Sequence, residues 1–199
     1  QHKDLEIDET SLRLFCEEKI GRLMEINDYS GVLDFTQEAG GFLRLLTRTW
    51  IGMSIATTTA QFNVWMVGSN TNTITTLTKG PATTLRIDSD GVNAQAILTV
   101  TNGFTNHGLI QLSETSPLGQ SHRLNVSSGT LVNDTDGTID AAVGGFASAP
   151  KFLGAQLDNR GIVNVSSSGG LTIDKASADH LNSGTFNVTA GNLSIVRPP

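Results

Sequence analysis

Asp134-Thr-Asp136-Gly137-Thr-Ile139-Asp140 places carboxylates at alternate positions around a glycine, the spacing with which a calcium loop presents its oxygen ligands. Aligned as an EF-hand, its first ligand position is Val132 and its twelfth Val143, and neither side chain can coordinate. The similar Asp88-Ser-Asp90-Gly91 fails in the same way at Arg86. Asp and Gly dominate turns for conformational reasons alone, so a solvated turn is expected at both places. No cofactor is expected, and calcium is the one ion the spacing suggests. His107 stands between Asn106 and Gly108 with no second histidine at a fixed offset, which reads as a variable turn residue rather than a metal ligand. Cys16, the single cysteine, permits neither an internal disulfide nor a multi-cysteine metal site.

Cleavage of an acidic polysaccharide needs clustered carboxylates with an Arg or Lys near the scissile unit. The residues available for it are Asp140, Asp158, Arg160, Asp174, Lys175, Asp179 and His180, of which only Asp158 with Arg160 and Asp174 with Lys175 are close in sequence. Scattered surface charges are the expectation, and no catalytic residue is assigned. Asn125-Val-Ser, Asn133-Asp-Thr, Asn164-Val-Ser, Asn187-Val-Thr and Asn192-Leu-Ser fit the glycosylation acceptor pattern, which a chain rich in Asn, Ser and Thr produces by repetition. Thr71, Thr73, Thr75, Thr76 and Thr78 form a threonine-rich run without regular repetition, expected on the solvated face of a strand. With 13 basic against 19 acidic residues and a net charge of −6, the chain lacks the cationic surface that binds phosphate backbones, so no nucleic-acid partner is expected.

The elements that would position these groups follow from composition. Residues 1–50 hold 16 of the 32 charged residues, one asparagine and four glycines, whereas the following 149 residues hold thirteen asparagines and seventeen glycines. That shift marks a boundary near residue 50, with strand and turn chemistry beyond it. Before it, Leu12, Phe15, Cys16, Ile20, Leu23 and Met24 recur at three- and four-residue spacing, which predicts an amphipathic helix over Leu12–Ile26. A second, short helix is expected around Phe35–Leu46, weakened by Gly40-Gly41. The organisation expected is a helical segment or cap over 1–50, a β lead-in over 51–84 and repeats over 85–199. No run of eighteen apolar residues occurs, since Trp50–Val67 is broken by Gly52, Ser54, Thr57–Thr59, Gln61 and Asn63, so no helical membrane insertion is expected.

From about Leu85 the sequence repeats. Asn-x-Gly followed by an alternating apolar pair occurs at Asn106-His-Gly108 with Ile110 and Leu112, at Asn159-Arg-Gly161 with Val163 and Val165, and at Asn182-Ser-Gly184 with Phe186 and Val188. A stretched copy runs from Asn133 to Gly137 with Ile139 and Ala141, so the asparagines step by 27, 26 and 23 residues. Between these copies lie Leu98-Thr-Val100, Leu124-Asn-Val126, Leu171-Thr-Ile173 and Leu193-Ser-Ile195. Alternation turns the apolar side chains to one face and Thr, Asn and Ser to the other, with Gly and Asn at corners that need unusual backbone angles. Periods of this length belong to solenoids. A β-sandwich also has short, regularly spaced strands, but its strands need not repeat one side-chain signature. The expected fold is therefore all-β: a parallel β-helix, or β-solenoid, of about four to five coils, preceded by the helical segment. Leu98, Val100, Ile110, Leu112, Leu124, Val126, Val163, Val165, Leu171, Ile173, Phe186 and Val188 are the expected interior.

Leu98-Thr-Val-Thr-Asn-Gly-Phe-Thr-Asn-His-Gly-Leu-Ile-Gln-Leu112, Leu157-Asp-Asn-Arg-Gly-Ile-Val-Asn-Val165 and His180-Leu-Asn-Ser-Gly-Thr-Phe-Asn-Val188 resemble the repeats of bacterial surface β-solenoid proteins, the filamentous haemagglutinins and autotransporter passengers, over about residues 85–196. The resemblance implies a bacterial cell-surface or extracellular location and a non-enzymatic role as adhesin stalk, fibre or scaffold. The partners it implies are glycans or cell-surface receptors, with self-association end to end as a further expectation. A carbohydrate-active β-helix enzyme and a self-assembling filament subunit are the alternatives, because such coils carry many activities.

An open solenoid end exposes strand edges and an apolar interior, which the helix at Leu12–Ile26 is expected to cover. At the other end Arg197-Pro198-Pro199 either blunts the ladder or marks a cut within a longer rod. The start at Gln1 instead of Met suggests a processed or excised product.

Overall fold

The structure, a computed structural model, describes residues 23–26, 32–34, 41–46, 49–55, 62–67, 71–88, 95–113, 119–145 and 148–196. These residues form two sheets of strands that pair parallel in sequence register, with no helix among them. In the first sheet β1 (Leu23–Ile26), β3 (Gly41–Leu46), β5 (Phe62–Val67), β7 (Thr83–Asp88), β10 (Leu109–Leu112), β12 (Thr138–Ala141), β14 (Ile162–Val165) and β17 (Thr185–Val188) stack in that order. The second sheet stacks β2 (Val32–Asp34), β4 (Thr49–Ile55), β6 (Thr71–Lys79), β8 (Gln95–Val100), β11 (Ser121–Asn133), β13 (Lys151–Asn159), β15 (Leu171–Ile173) and β18 (Leu193–Ile195). The chain alternates between the sheets and closes one coil at each return. This is the β-solenoid expected from the repeat.

Two further strands make the later coils three-sided. β9 (Phe104–Asn106) and β16 (Leu181–Asn182) pair only with the ends of β6, β11 and β13, so these long strands turn a corner partway along. In β11 and β13 the corner shows as a register shift between Asn125 and Thr130, where Gly129 takes a φ of 75°.

Alternation aligns inward side chains into columns running along the axis. Leu85, Ile110, Ile139, Val163 and Phe186 occupy one register position of the first sheet, and Ile87, Leu112, Ala141, Val165 and Val188 the next inward one. In the second sheet Leu98, Leu124, Leu153, Ile173 and Ile195 align in the same way. Of the twelve residues expected inside, ten are buried. Phe186 and Val188 are the exceptions, half-buried and 47% exposed, because among the described residues no strand lies beyond β17.

The corner glycines serve a purpose other than the expected one. Gly108, Gly137, Gly161 and Gly184 do not have positive φ. A Cβ at Gly161 would instead fall on the carbonyl oxygens of Asp134 and Gly137 in the preceding coil, and one at Gly184 on the carbonyl oxygen of Gly161. These positions need glycine for close stacking of corners, not for an unusual backbone angle.

The N-terminal expectation is corrected where residues are described. Residues 12–22 of the expected helix lie outside the described residues, but its last four, Leu23–Ile26, form β1, and Gly41–Leu46 of the second expected helix form β3. Both pair in register with the following coil, Leu23 with Phe42 and Gly41 with Phe62. Pairing along an existing ladder gives a short segment regular main-chain partners, which outweighs a helical side-chain spacing. The ladders pass residues 50 and 85 without a break.

An Asp at position 163 would place a charge in a column closed above and below by Ile139 and Phe186. Val163→Asp is expected to cost more than about 3 kcal/mol, the scale of an uncompensated buried charge. Thermal unfolding followed by circular dichroism checks this, and an unchanged midpoint would contradict the inward placement.

Candidate functional site

The Asn-x-Gly corners carry a continuous chain of side-chain amides. Asn106, Asn133, Asn159 and Asn182 share one register position, and the first three are fully buried. The Nδ2 of Asn106 donates to Oδ1 of Asn133 at 2.8 Å, that of Asn133 to Asn159 at 2.8 Å, and that of Asn159 to Asn182 at 2.7 Å. Each Nδ2 also donates to a main-chain carbonyl, of Thr138 at 3.2 Å, Ile162 at 3.1 Å and Thr185 at 3.5 Å. Asn133 is thereby ruled out as a glycosylation acceptor in the folded chain.

At the head of this column the partner of Asn106 is Lys79, which is buried and donates from Nζ to the carbonyl oxygen of Thr83 at 2.8 Å. Burial lowers its pKa from 10.5 to about 7, against a smaller opposing pull from Asp136.

On the solvent side of the same corners the register brings together residues that are distant in sequence. His107 lies over the widened corner of the next coil, its Nδ1 2.9 Å from Oδ1 of Asp136 and 3.7 Å from Oδ2 of Asp134. One donor atom from each of the three lies within 4.8 Å of the others, a spacing that could hold a metal ion. From the sequence alone His107 reads as a variable turn residue and the calcium-like Asp134–Asp140 stretch as a solvated turn. Asp140 is not part of the cluster: on β12 it accepts a hydrogen bond from Nε2 of Gln111 at 3.3 Å. The signal was present in the 27-residue step from Asn106 to Asn133, which also carries His107 onto Asp134. Asp88, from the second calcium-like sequence, is buried and paired to Arg86 at 3.1 Å, while Asp90 and Gly91 lie outside the described residues.

Of the other candidate catalytic groups, Asp158 and Asp174 are each taken by an arginine, and Nδ1 of His180 accepts from the N–H of Leu157 at 3.2 Å. Asp158 on β13 is held by Arg160 through Nη2 at 2.7 Å and Nε at 3.0 Å, and that hydrogen bond and charge raise the Arg160 pKa. Asp174, after β15, takes a bidentate pair from Arg123 at 3.0 and 2.6 Å. The Arg123 guanidinium crosses the intervening coil 4.6 Å above the Phe152 ring. It passes over Gly154, where a Cβ would lie 3.0 Å from its Nη1. Lys175 makes a second brace, donating to the carbonyl oxygens of Val126 at 2.9 Å and Ser127 at 2.7 Å.

One interior column of the second sheet reads Ala96, His122, Lys151, Leu171, Leu193. Lys151 is buried and donates to the carbonyl oxygen of Ala149 and to Oγ of Ser167, both at 2.8 Å. His122 is fully buried, and neither ring nitrogen has a hydrogen-bond partner. Burial first, then the charges of Lys151 and Arg86, lower its pKa from 6.5 to about 3, so it is neutral in the folded coil. The sequence reading passed over both residues, although their position two before the aligned Leu124 and Leu153 already turns them inward.

No protein-family profile, curated protein or solved structure matches this chain.

Asn133→Ala would break the amide chain in the middle and leave Nδ2 of Asn106 and Oδ1 of Asn159 without their partners. The expected loss is about 2–4 kcal/mol from two buried groups, read as a lowered thermal midpoint. Asn125→Ala, on the outward face, should change it much less. Stability should also depend on pH through His122. The unfolded chain takes up this proton near pH 6.5 and the folded chain only near 3, so stability intact above pH 6.5 is lost as pH falls through that window. Melting curves recorded from neutral pH to the lower end of that window should fall more steeply for the wild type than for His122→Leu, which lacks this term. Parallel pH profiles for the two proteins would remove His122 from the account.

Proposed function

We propose that the chain is a non-enzymatic segment of a bacterial cell-surface or extracellular β-solenoid, serving as an adhesin stalk, fibre or scaffold. The observation that carries this reading is where the polar groups go. The buried amides run from coil to coil, Arg123 and Lys175 reach across a whole coil to Asp174 and to main-chain carbonyls, and Asp158 is taken by Arg160. The amides and the Arg123 and Lys175 braces hold coils together, and the Asp158–Arg160 pair is closed on itself, which favours a load-bearing rod over a reaction centre. The outward Thr, Asn and Gln columns, such as Asn164 with Asn187 at 3.0 Å, present a hydrated surface suited to weak, repeated contacts with glycans.

A second reading, end-to-end self-association into a filament, is favoured by one feature. The last described coil leaves Leu181 63% exposed, with Val188, Ile195 and Val196 also exposed beside strand edges that another coil could extend.

Negative-stain electron microscopy across a concentration series, run beside assays of polysaccharide cleavage and glycan binding, tests these readings. The stalk reading expects short particles of one size and no released reducing ends or unsaturated uronates. Ordered filaments would make the chain a fibre subunit. Cleavage lost in Asp140→Asn, Asp158→Asn or Asp174→Asn would overturn the non-enzymatic reading.

A further inference from the structure

We propose that His107, Asp134 and Asp136 form a binding site for one divalent transition-metal ion of the zinc, cobalt or nickel class, bridging two successive coils. The site goes beyond the mechanical reading of the chain and does not depend on it.

The register of the solenoid creates the juxtaposition. Asn106 pairs with Asn133, so the residue after each lies at the same corner of adjacent coils. The corner after Asn106 has one residue before its glycine, whereas the corner after Asn133 has three, Asp134-Thr135-Asp136. The extra length lets two carboxylates face a single imidazole. Nδ1 stands 2.9 Å from one carboxylate oxygen and 3.7 Å from the other. Ligand atoms about 2.0–2.2 Å from a shared metal lie roughly 3–3.5 Å apart at tetrahedral or octahedral angles, so small side-chain adjustments suffice.

The parts that hold the donors are stiff. The main chain at His107 is fixed by the buried amide of Asn106 before it, whose Oδ1 accepts from the N–H of Gly108 at 3.3 Å. Asp134 is oriented by the Thr135 N–H, which donates to its Oδ1 at 2.9 Å and leaves Oδ2 towards His107. Its own carbonyl oxygen accepts from Gly137 N–H at 2.8 Å, which closes the turn. Such outer contacts set ligand direction in metal sites. In the next coil the guanidinium of Arg160 is hydrogen-bonded to Asp158, and its charge also acts on Asp134.

The donor set selects the metal. An imidazole nitrogen with two carboxylates suits borderline ions such as Zn²⁺, Co²⁺ and Ni²⁺, whereas Ca²⁺ and Mg²⁺ want oxygen alone. With side chains 39%, 30% and 49% exposed, the three residues keep water within reach for the remaining coordination positions. Three ligands at a wet surface imply moderate affinity. Bound metal would cross-link neighbouring coils and stabilise the solenoid by mass action.

The test titrates the full chain with ZnCl₂ by calorimetry and with CoCl₂ by visible absorption, and repeats both with His107→Ala and Asp136→Asn. Because all three side chains lie at the surface, both variants should keep the wild-type circular dichroism spectrum. The expected result is one ion per chain at micromolar affinity, weakened roughly tenfold or more in each variant, with a zinc-dependent rise in melting temperature that His107→Ala abolishes. Cobalt absorption and zinc affinity unchanged in both variants would place the metal elsewhere and overturn the proposal. Absence of binding at millimolar metal would do the same, and tighter binding of CaCl₂ than of ZnCl₂ would overturn the assignment of metal class.

Discussion

A primary amide removed from water has two N–H donors and a carbonyl oxygen to satisfy, and an uncompensated one is expensive. In this solenoid most of the partners come from the coils on either side. The carbonyl of one asparagine accepts a hydrogen bond from the amide of the asparagine before it, and its own amino group donates to the one after it and to a main-chain carbonyl. That arrangement requires the same residue at the same register in consecutive coils, so it fixes the stagger of the corner. The glycine that follows is then forced, since the corner main chains approach too closely for a Cβ. Register, corner spacing and the Asn-x-Gly signature are three expressions of one hydrogen-bond requirement.

The columns tolerate exceptions when a local partner is supplied. Lys79 ends the amide column by turning its ammonium to the Thr83 carbonyl, and Lys151 reaches Ala149 and Ser167 from within an apolar column. Each keeps its head group bonded while its methylene stem fills space between coils. His122 is different, because it is accommodated as a neutral ring without a hydrogen bond. A side chain of that kind lowers the stability of its coil in return for sensitivity to acid.

The architecture was legible in the sequence because it repeats. Asn106, Asn133, Asn159 and Asn182 announce the period, and alternation in Leu98-Thr-Val100 or Leu124-Asn-Val126 assigns the interior. What depends on stacking was not legible from one coil at a time. His107 acquires its carboxylate neighbours only when the coils are superposed, and β9 and β16 are too short to stand out by periodicity. The reason for glycine at the corners, close approach between coils, is likewise a property of the stack. Towards the N-terminus the spacing of Leu12 to Met24 matched a helix, yet Leu23–Ile26 pairs with β3, since a growing ladder recruits short apolar segments regardless of their local preference.

Stacked repeats are usually treated as a row of units, each coupled to its immediate neighbours, which can fray one at a time from either end. The braces from Arg123 to Asp174 and from Lys175 to Val126 and Ser127 couple the coil of β11 to that of β15, past the coil of β13. The middle coil cannot open while both braces hold. These three coils therefore behave as one cooperative block within an otherwise linear array, the segment from which protease or pulling force would have the hardest time peeling a single turn.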